Sequence, residues 1–195
     1  KAADPEHPEV MWQLSEAVDG LAEACVAFGV PVVGGNVSLY NESAGTDIDP
    51  TPVIGLLGIV DDLVRRPPGA TLVDGHRLVL LGPPDVSLSG SLWGATRDAR
   101  GGVLAPLDLG LHQRVVDLVR DLVVSGRVDG VHDVSAGGLG VAIAEMVSRS
   151  GVGAHLARVE DHRALFGEGP SRVVLAVDPE CLSDVLAAAE AAAVP

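Results

Sequence analysis

The chain has 195 residues, enough for one domain or a domain and a half, and its 47% hydrophobic share supports a buried core. Aromatic residues make up only 3%, so that core must be aliphatic. A net charge of −14 repels polyanions and argues against nucleic acid or an anionic membrane as a partner. A small phosphorylated ligand stays open, because backbone N–H groups can hold phosphate without a basic surface.

The N-terminal region Pro8–Phe28 reads as a helix. Val10, Leu14, Ala17, Val18, Leu21, Cys25 and Phe28 follow the spacing of one buried face. Pro8 and Glu9 suit the first turn, and Gly29 suits the C-terminal cap. Pro31–Val33 is expected to be a short buried strand, Gly34–Pro52 a long loop and Val53–Val60 a second strand. So long a loop inside a compact domain points to function. The run Arg65-Arg66-Pro67-Pro68-Gly69 is the best domain boundary, giving units 1–68 and 69–195. Beyond it, strands are expected at Arg77–Leu81, Gly130–Val134, Gly153–Ala157 and Arg172–Val177, with helices at Leu109–Ser125, Gly137–Ser150 and Pro179–Ala193. That order with short links predicts an α/β (α+β) layer structure of sheets packed with helices. The chain opens directly into a helix and stops where a further strand would pair, so it reads as a fragment of a longer protein.

Cys25 and Cys181 stand alone, with no CxxC and no disulfide pattern, which favours a reducing cytoplasmic setting. No apolar run approaches the ~18 residues of a membrane span, and the N-terminus is not a signal peptide.

Four stretches carry candidate chemistry. In Gly34-Gly35-Asn36-Val37-Ser38, the glycines allow close backbone approach, Asn36 offers a neutral oxygen to a hard cation, and Ser38 offers a hydroxyl. The competing reading is a turn capped by its own Asn and Ser. The run is neither a Walker A loop nor GxGxxG, and the missing dinucleotide fingerprint sets aside an oxidoreductase. In His132-Asp133-Val134-Ser135-Ala136-Gly137-Gly138, a strand delivers His132 and Asp133 to its end. Gly137 and Gly138 then open a helix whose N-terminus favours anions. Here the alternative is that Asp133 and Ser135 merely cap the helix. No Ser or Cys stands at a telling spacing from His132, which speaks against a nucleophilic triad. Asp47 and Asp49 could bind a cation or be solvated loop carboxylates. Glu168, in the Gly-rich link Leu165–Ser171, is either a site group or a loop charge.

Taken in order, PEVMWQL, PVVGGNVSLYNE, PTPVIGLLGIVDD, HDVSAGGL followed by AIAEM, and LFGEGPSRVV resemble phosphoribosylformylglycinamidine synthase (FGAM synthase) over essentially the whole chain. More narrowly, they resemble the synthetase subunit that works with separate glutaminase and small accessory subunits. The resemblance implies the later part of an aminoimidazole ribonucleotide synthetase-like domain pair. Residues 1–68 would be a truncated N-terminal, dimerising, ATP-site domain, and 69–195 a C-terminal α/β domain truncated at its end. It also implies an ATP- and Mg²⁺-dependent ligase of purine biosynthesis. ATP would phosphorylate the amide oxygen of formylglycinamide ribonucleotide, and glutamine-derived ammonia would displace the phosphate to give the amidine. Carried over by position, Gly35 contacts ATP, Asn36 ligates Mg²⁺ and Ser38 contacts the substrate. His132, Asp133, Gly137 and Gly138 are weaker candidates. Ala136 stands where the family often has Asp, so any contact made by that Asp is absent here. The family's catalytic histidine, its general base and most of its magnesium carboxylates lie outside this chain. No catalytic residue is therefore expected within it, and the chain alone is expected to be inactive. The alternative is a non-catalytic structural or interaction half with a vestigial nucleotide pocket.

Overall fold

The computed structural model describes residues 6–48, 51–60, 66–99, 101–157 and 159–195. It forms two compact units, Lys1–Asp61 and Asp62–Pro195.

The first unit is built on α1 (Pro8–Phe28), which starts with Pro8 in its first turn and ends at Gly29 in the left-handed conformation. Val10, Leu14, Ala17, Leu21, Ala24, Cys25 and Phe28 form a half-buried stripe along it, so the periodicity in the sequence marks the correct face. Val18 lies outside that stripe and is exposed. After α1 comes a minimal antiparallel hairpin, β1 (Glu42–Ser43) with β2 (Thr46–Asp47), turned by Ala44 and Gly45 at positive φ. The expected strands Pro31–Val33 and Val53–Val60 do not form. Both segments lie outside any ladder, with Val33 at 94% and Leu57 at 89% exposure. The physical reason is that a strand exists only through a neighbour accepting and donating its main-chain bonds, and no described segment pairs with either.

The second unit carries β3 (Arg77–Leu81), α2 (Leu92–Ala95), α3 (Leu109–Ser125), β4 (Gly130–Asp133), α4 (Gly138–Ser150), α5 (His162–Phe166), β5 (Val173–Val177) and α6 (Leu182–Ala191). Its sheet has the order β3-β5-β4, and both pairings are antiparallel. β5 is central, and its VVLAV sequence reads as a continuous apolar run because both faces are covered. Leu175 and Val177 pack with Val115, Leu118 and Leu122 of α3 and with Val185 and Ala189 of α6. Val174 and Ala176 pack on the other face with Ala142, Ile143 and Met146 of α4. The result is the expected helix–sheet layering around an aliphatic core.

The segment Gly153–Ala157, expected as a strand, also stays outside the sheet. Gly151 and Gly153 disfavour extended pairing there, and Ala and His add little strand preference. β3 is consequently an edge among the described strands. A cavity of about 600 Å³ lies beside it, lined in part by Leu78, Leu80, Ile143 and Leu156. Two short helices escaped the sequence reading, although each has its cap. Ser91 Oγ accepts from Gly94 N at 3.1 Å to start α2, and Asp161 Oδ1 accepts from Arg163 N and Ala164 N to start α5.

Candidate functional site

The first candidate group sits in the exposed loop after α1. A side chain added at Gly34 or Gly35 would meet no atom within 4 Å, so the backbone there is open to approach. Among the described residues, none accepts a hydrogen bond from the amides of Gly34, Gly35 or Asn36. Asn36 is exposed, and its Nδ2 donates only a long 3.4 Å bond to Ser38 Oγ. Asn41 Nδ2 donates to Ser38 O at 3.0 Å and pins the far side of the loop. Gly35, Asn36 and Ser38 therefore share one surface segment, in which the Gly35 amide and Asn36 Oδ1 are unspent among the described residues and Ser38 Oγ holds only the long bond from Asn36. One neutral oxygen is not a magnesium site, and the described residues contain no group of three His, Cys, Asp or Glu that could hold a metal. Asp49 and the side chain of Asp47 lie outside the described residues.

The second group gathers around the start of α4. Antiparallel pairing with β5 carries His132 and Asp133 to the end of β4. His132 Nε2 lies 2.8 Å from Glu145 Oε2 on α4, and its Nδ1 lies 2.8 Å from Asp133 O. The imidazole thus ties strand to helix and has no free nitrogen to offer. Hydrogen bonding from the Ser135 side chain is the main force holding the Asp133 carboxyl below the usual carboxylate range, with a smaller pull from His132. A lowered pKa stabilises the folded state above the unfolded pKa, and that stabilisation is lost as pH falls through the folded value. Ser135→Ala is expected to raise the Asp133 midpoint and shrink this acid-side contribution. Carboxyl-carbon NMR titration checks it, and an unmoved midpoint would refute the assignment.

Gly137 and Gly138 are both left-handed, at φ 84° and 69°. A side chain at Gly138 would sit 2.7 Å from the carbonyl oxygens of Gly167 and Leu165, so close packing requires glycine there. The Gly138 amide donates to Ser135 O at 3.0 Å. Gly137 N donates to Glu168 Oε1 at 2.7 Å, and the same oxygen accepts from Leu92 N at 2.7 Å. Glu168 also exchanges backbone bonds with Ser87 at 2.9 Å each way. Glu168 is thus the keystone between the LFGEG link, α2 and the start of α4, a role the sequence left open.

Two further residues were not singled out in the sequence. Ser171 Oγ lies 2.9 Å from His112 Nδ1. Arg172 is 6% exposed, and it is the one buried charged side chain among the described residues. Its Nε and Nη1 are buried without a hydrogen-bond partner among the described residues, and burial pushes its pKa down. The available signal was an arginine directly preceding a wholly apolar strand.

These two domains match known protein families. Residues 2–60 match the AIR synthase related protein, N-terminal domain, and residues 73–195 match the AIR synthase related protein, C-terminal domain. The chain belongs to the AIR synthase related family. Within it, the chain is 44% identical over 181 residues to phosphoribosylformylglycinamidine synthase subunit PurL of Renibacterium salmoninarum, covering 89% of this chain and 24% of the relative. It is 43% identical over 198 residues to the PurL subunit of Methylocella silvestris, covering 98% of this chain and 27% of the relative. The chain therefore spans about a quarter of the length of these relatives. Among solved structures, the fold resembles Thermotoga maritima PurL complexed with FGAR at TM-score 0.52 and 19% identity, over 65% of this chain and 24% of that one. It also resembles T. maritima phosphoribosylformylglycinamidine synthase II at TM-score 0.51 and 18% identity, over 66% of this chain and 22% of that one. Among the described residues, no helix is long and apolar enough to cross a membrane.

Proposed function

We propose that this chain is part of an ATP-dependent carbon–nitrogen ligase that converts formylglycinamide ribonucleotide to its amidine, with ammonia drawn from glutamine. The observation that carries this reading is the 44% identity to a PurL subunit over 89% of the chain, spanning both matched domains. It is supported by the open, unspent backbone at Gly34-Gly35-Asn36, where a ligand has room to approach. In this reading Gly35 contacts ATP, Asn36 gives one oxygen to the Mg²⁺ that accompanies ATP, and Ser38 contacts the ribonucleotide. The other ligands to the ion come from elsewhere in the enzyme. Residues 1–68 belong to the ATP-site domain and 69–195 to the C-terminal domain. The partners are a glutaminase subunit and a small accessory subunit, and the setting is cytoplasmic. His132 has a structural role in this reading, favoured by the Glu145 contact that ties β4 to α4; Asp133, Gly137 and Gly138 take no part in the ligase reaction as proposed.

The test is turnover of ATP, formylglycinamide ribonucleotide and ammonia. The full-length protein carrying this segment is expected to form the amidine, and the 195-residue chain alone is expected to form none. A full-length protein that binds neither ATP nor the ribonucleotide overturns the assignment. Turnover by the isolated chain overturns the proposed division of the catalytic groups.

A further inference from the structure

Arg172 Nε and Nη1 are buried with no hydrogen-bond partner among the described residues, and the surroundings define what would pair with them. Val134 N donates to Arg172 O at 2.9 Å, continuing the register in which Asp133 opposes Val173. Opposed residues share a face. Val134, Val174 and Ala176 all pack in the layer beneath α4, so Arg172 enters that layer at the end where Gly137 and Gly138 begin the helix. Glu168 and Asp133, the carboxylates flanking the start of α4, already hold partners. Glu168 Oε1 is taken by two backbone amides, and Asp133 is held by Ser135 and His132. Guanidinium nitrogens withdrawn from water without an acceptor are strongly disfavoured, so Nε and Nη1 call for a partner outside the described residues.

We propose that Arg172 is the cationic base of an oxyanion site at the start of α4, which takes a phosphoryl group and competes with Glu168 for the Gly137 amide. Glu168 marks the position an anion prefers, at the positive end of a 13-residue helix. Its own carboxylate satisfies the amides of Gly137 and Leu92, while Nε and Nη1 of Arg172 stay unmatched among the described residues. A phosphoryl group has three acceptor oxygens, enough to engage the planar guanidinium fork and the amides together. This inference does not depend on the ligase reaction, and its readout is binding alone.

The experiment follows thermal unfolding of the 195-residue chain against inorganic phosphate at constant ionic strength, with ADP and acetate as separate arms. Phosphate is expected to raise Tm along a saturating curve. Arg172→Met is expected to abolish that rise while folding at least as well as the parent chain in its absence, because it exchanges an unpaired buried charge for an apolar side chain. Glu168→Gln is expected to tighten the apparent phosphate affinity, since the competing charge is gone. A rise with ADP and none with inorganic phosphate also supports the site and assigns its phosphoryl group to a nucleotide. The proposal is overturned by no response to either, by an undiminished response in Arg172→Met, or by acetate acting as well as phosphate. Unfolding of the Arg172→Met chain without phosphate overturns it too, because Arg172 would then be holding the fold rather than waiting for a ligand.

Discussion

Leu175→Ala is expected to remove about 3 kcal/mol from the stability of the second unit, within the ~2–5 kcal/mol range for truncating a fully buried leucine. Leu175 is fully buried on the central strand, with β3 and β4 paired to either side of it. Its side chain joins the cluster of Leu81, Val115, Leu118, Leu122 and Val185. Pairing on both edges holds the backbone of β5 in place, so the surrounding groups cannot close over the vacated volume and the cavity penalty adds to the lost burial. Typical domains have only ~5–15 kcal/mol in total, so the variant should unfold at much lower urea. Leu186, half exposed on α6, supplies the control, with an expected change below about 0.5 kcal/mol. Urea unfolding followed by circular dichroism reads both, and a loss under about 1 kcal/mol at Leu175 would show that the core is looser than described.

The second large effect concerns catalysis rather than folding. Asn36→Ala in the full-length enzyme is expected to lower ATP-dependent turnover by about 100-fold with no change in fold, on the scale seen when a group supporting a metal–ligand contact is removed. The side chain is exposed and its one described bond is a long contact to Ser38, so truncation takes little from the structure. What it takes is a neutral oxygen on an otherwise open backbone. Steady-state rates across ATP and magnesium concentrations, with circular dichroism as the folding check, give the answer. Unchanged rates would leave GGNVS as a turn and favour the structural reading of this half.

Local signals in the sequence were sufficient for α1, α3 and β3, whose observed bounds coincide with those expected from the chain. Gly29 and Gly126 close the two helices in the left-handed conformation, so the stop is written in a single residue. Partnership was harder to read. Pro31–Val33, Val53–Val60 and Gly153–Ala157 carry strand-like composition in whole or part, yet a ladder depends on a neighbour that no local pattern specifies. The same limit applies to the site. Residue type marked Glu168 as a possible site group, but its two amide partners lie 31 and 76 positions away along the chain. The sequence marks Arg172 only as the first residue of the expected strand Arg172–Val177, and its burial emerges only with the register that sets it opposite Val134.

The alternation along β5 has a practical consequence for mutagenesis. Val174 and Ala176 report on one helical layer, while Leu175 and Val177 report on the other. Paired substitutions drawn from opposite sets should combine nearly independently, and pairs drawn from one set should not. A five-residue strand thus serves as a two-channel probe, able to tell a perturbation spreading from the α4 side from one entering through α3 and α6.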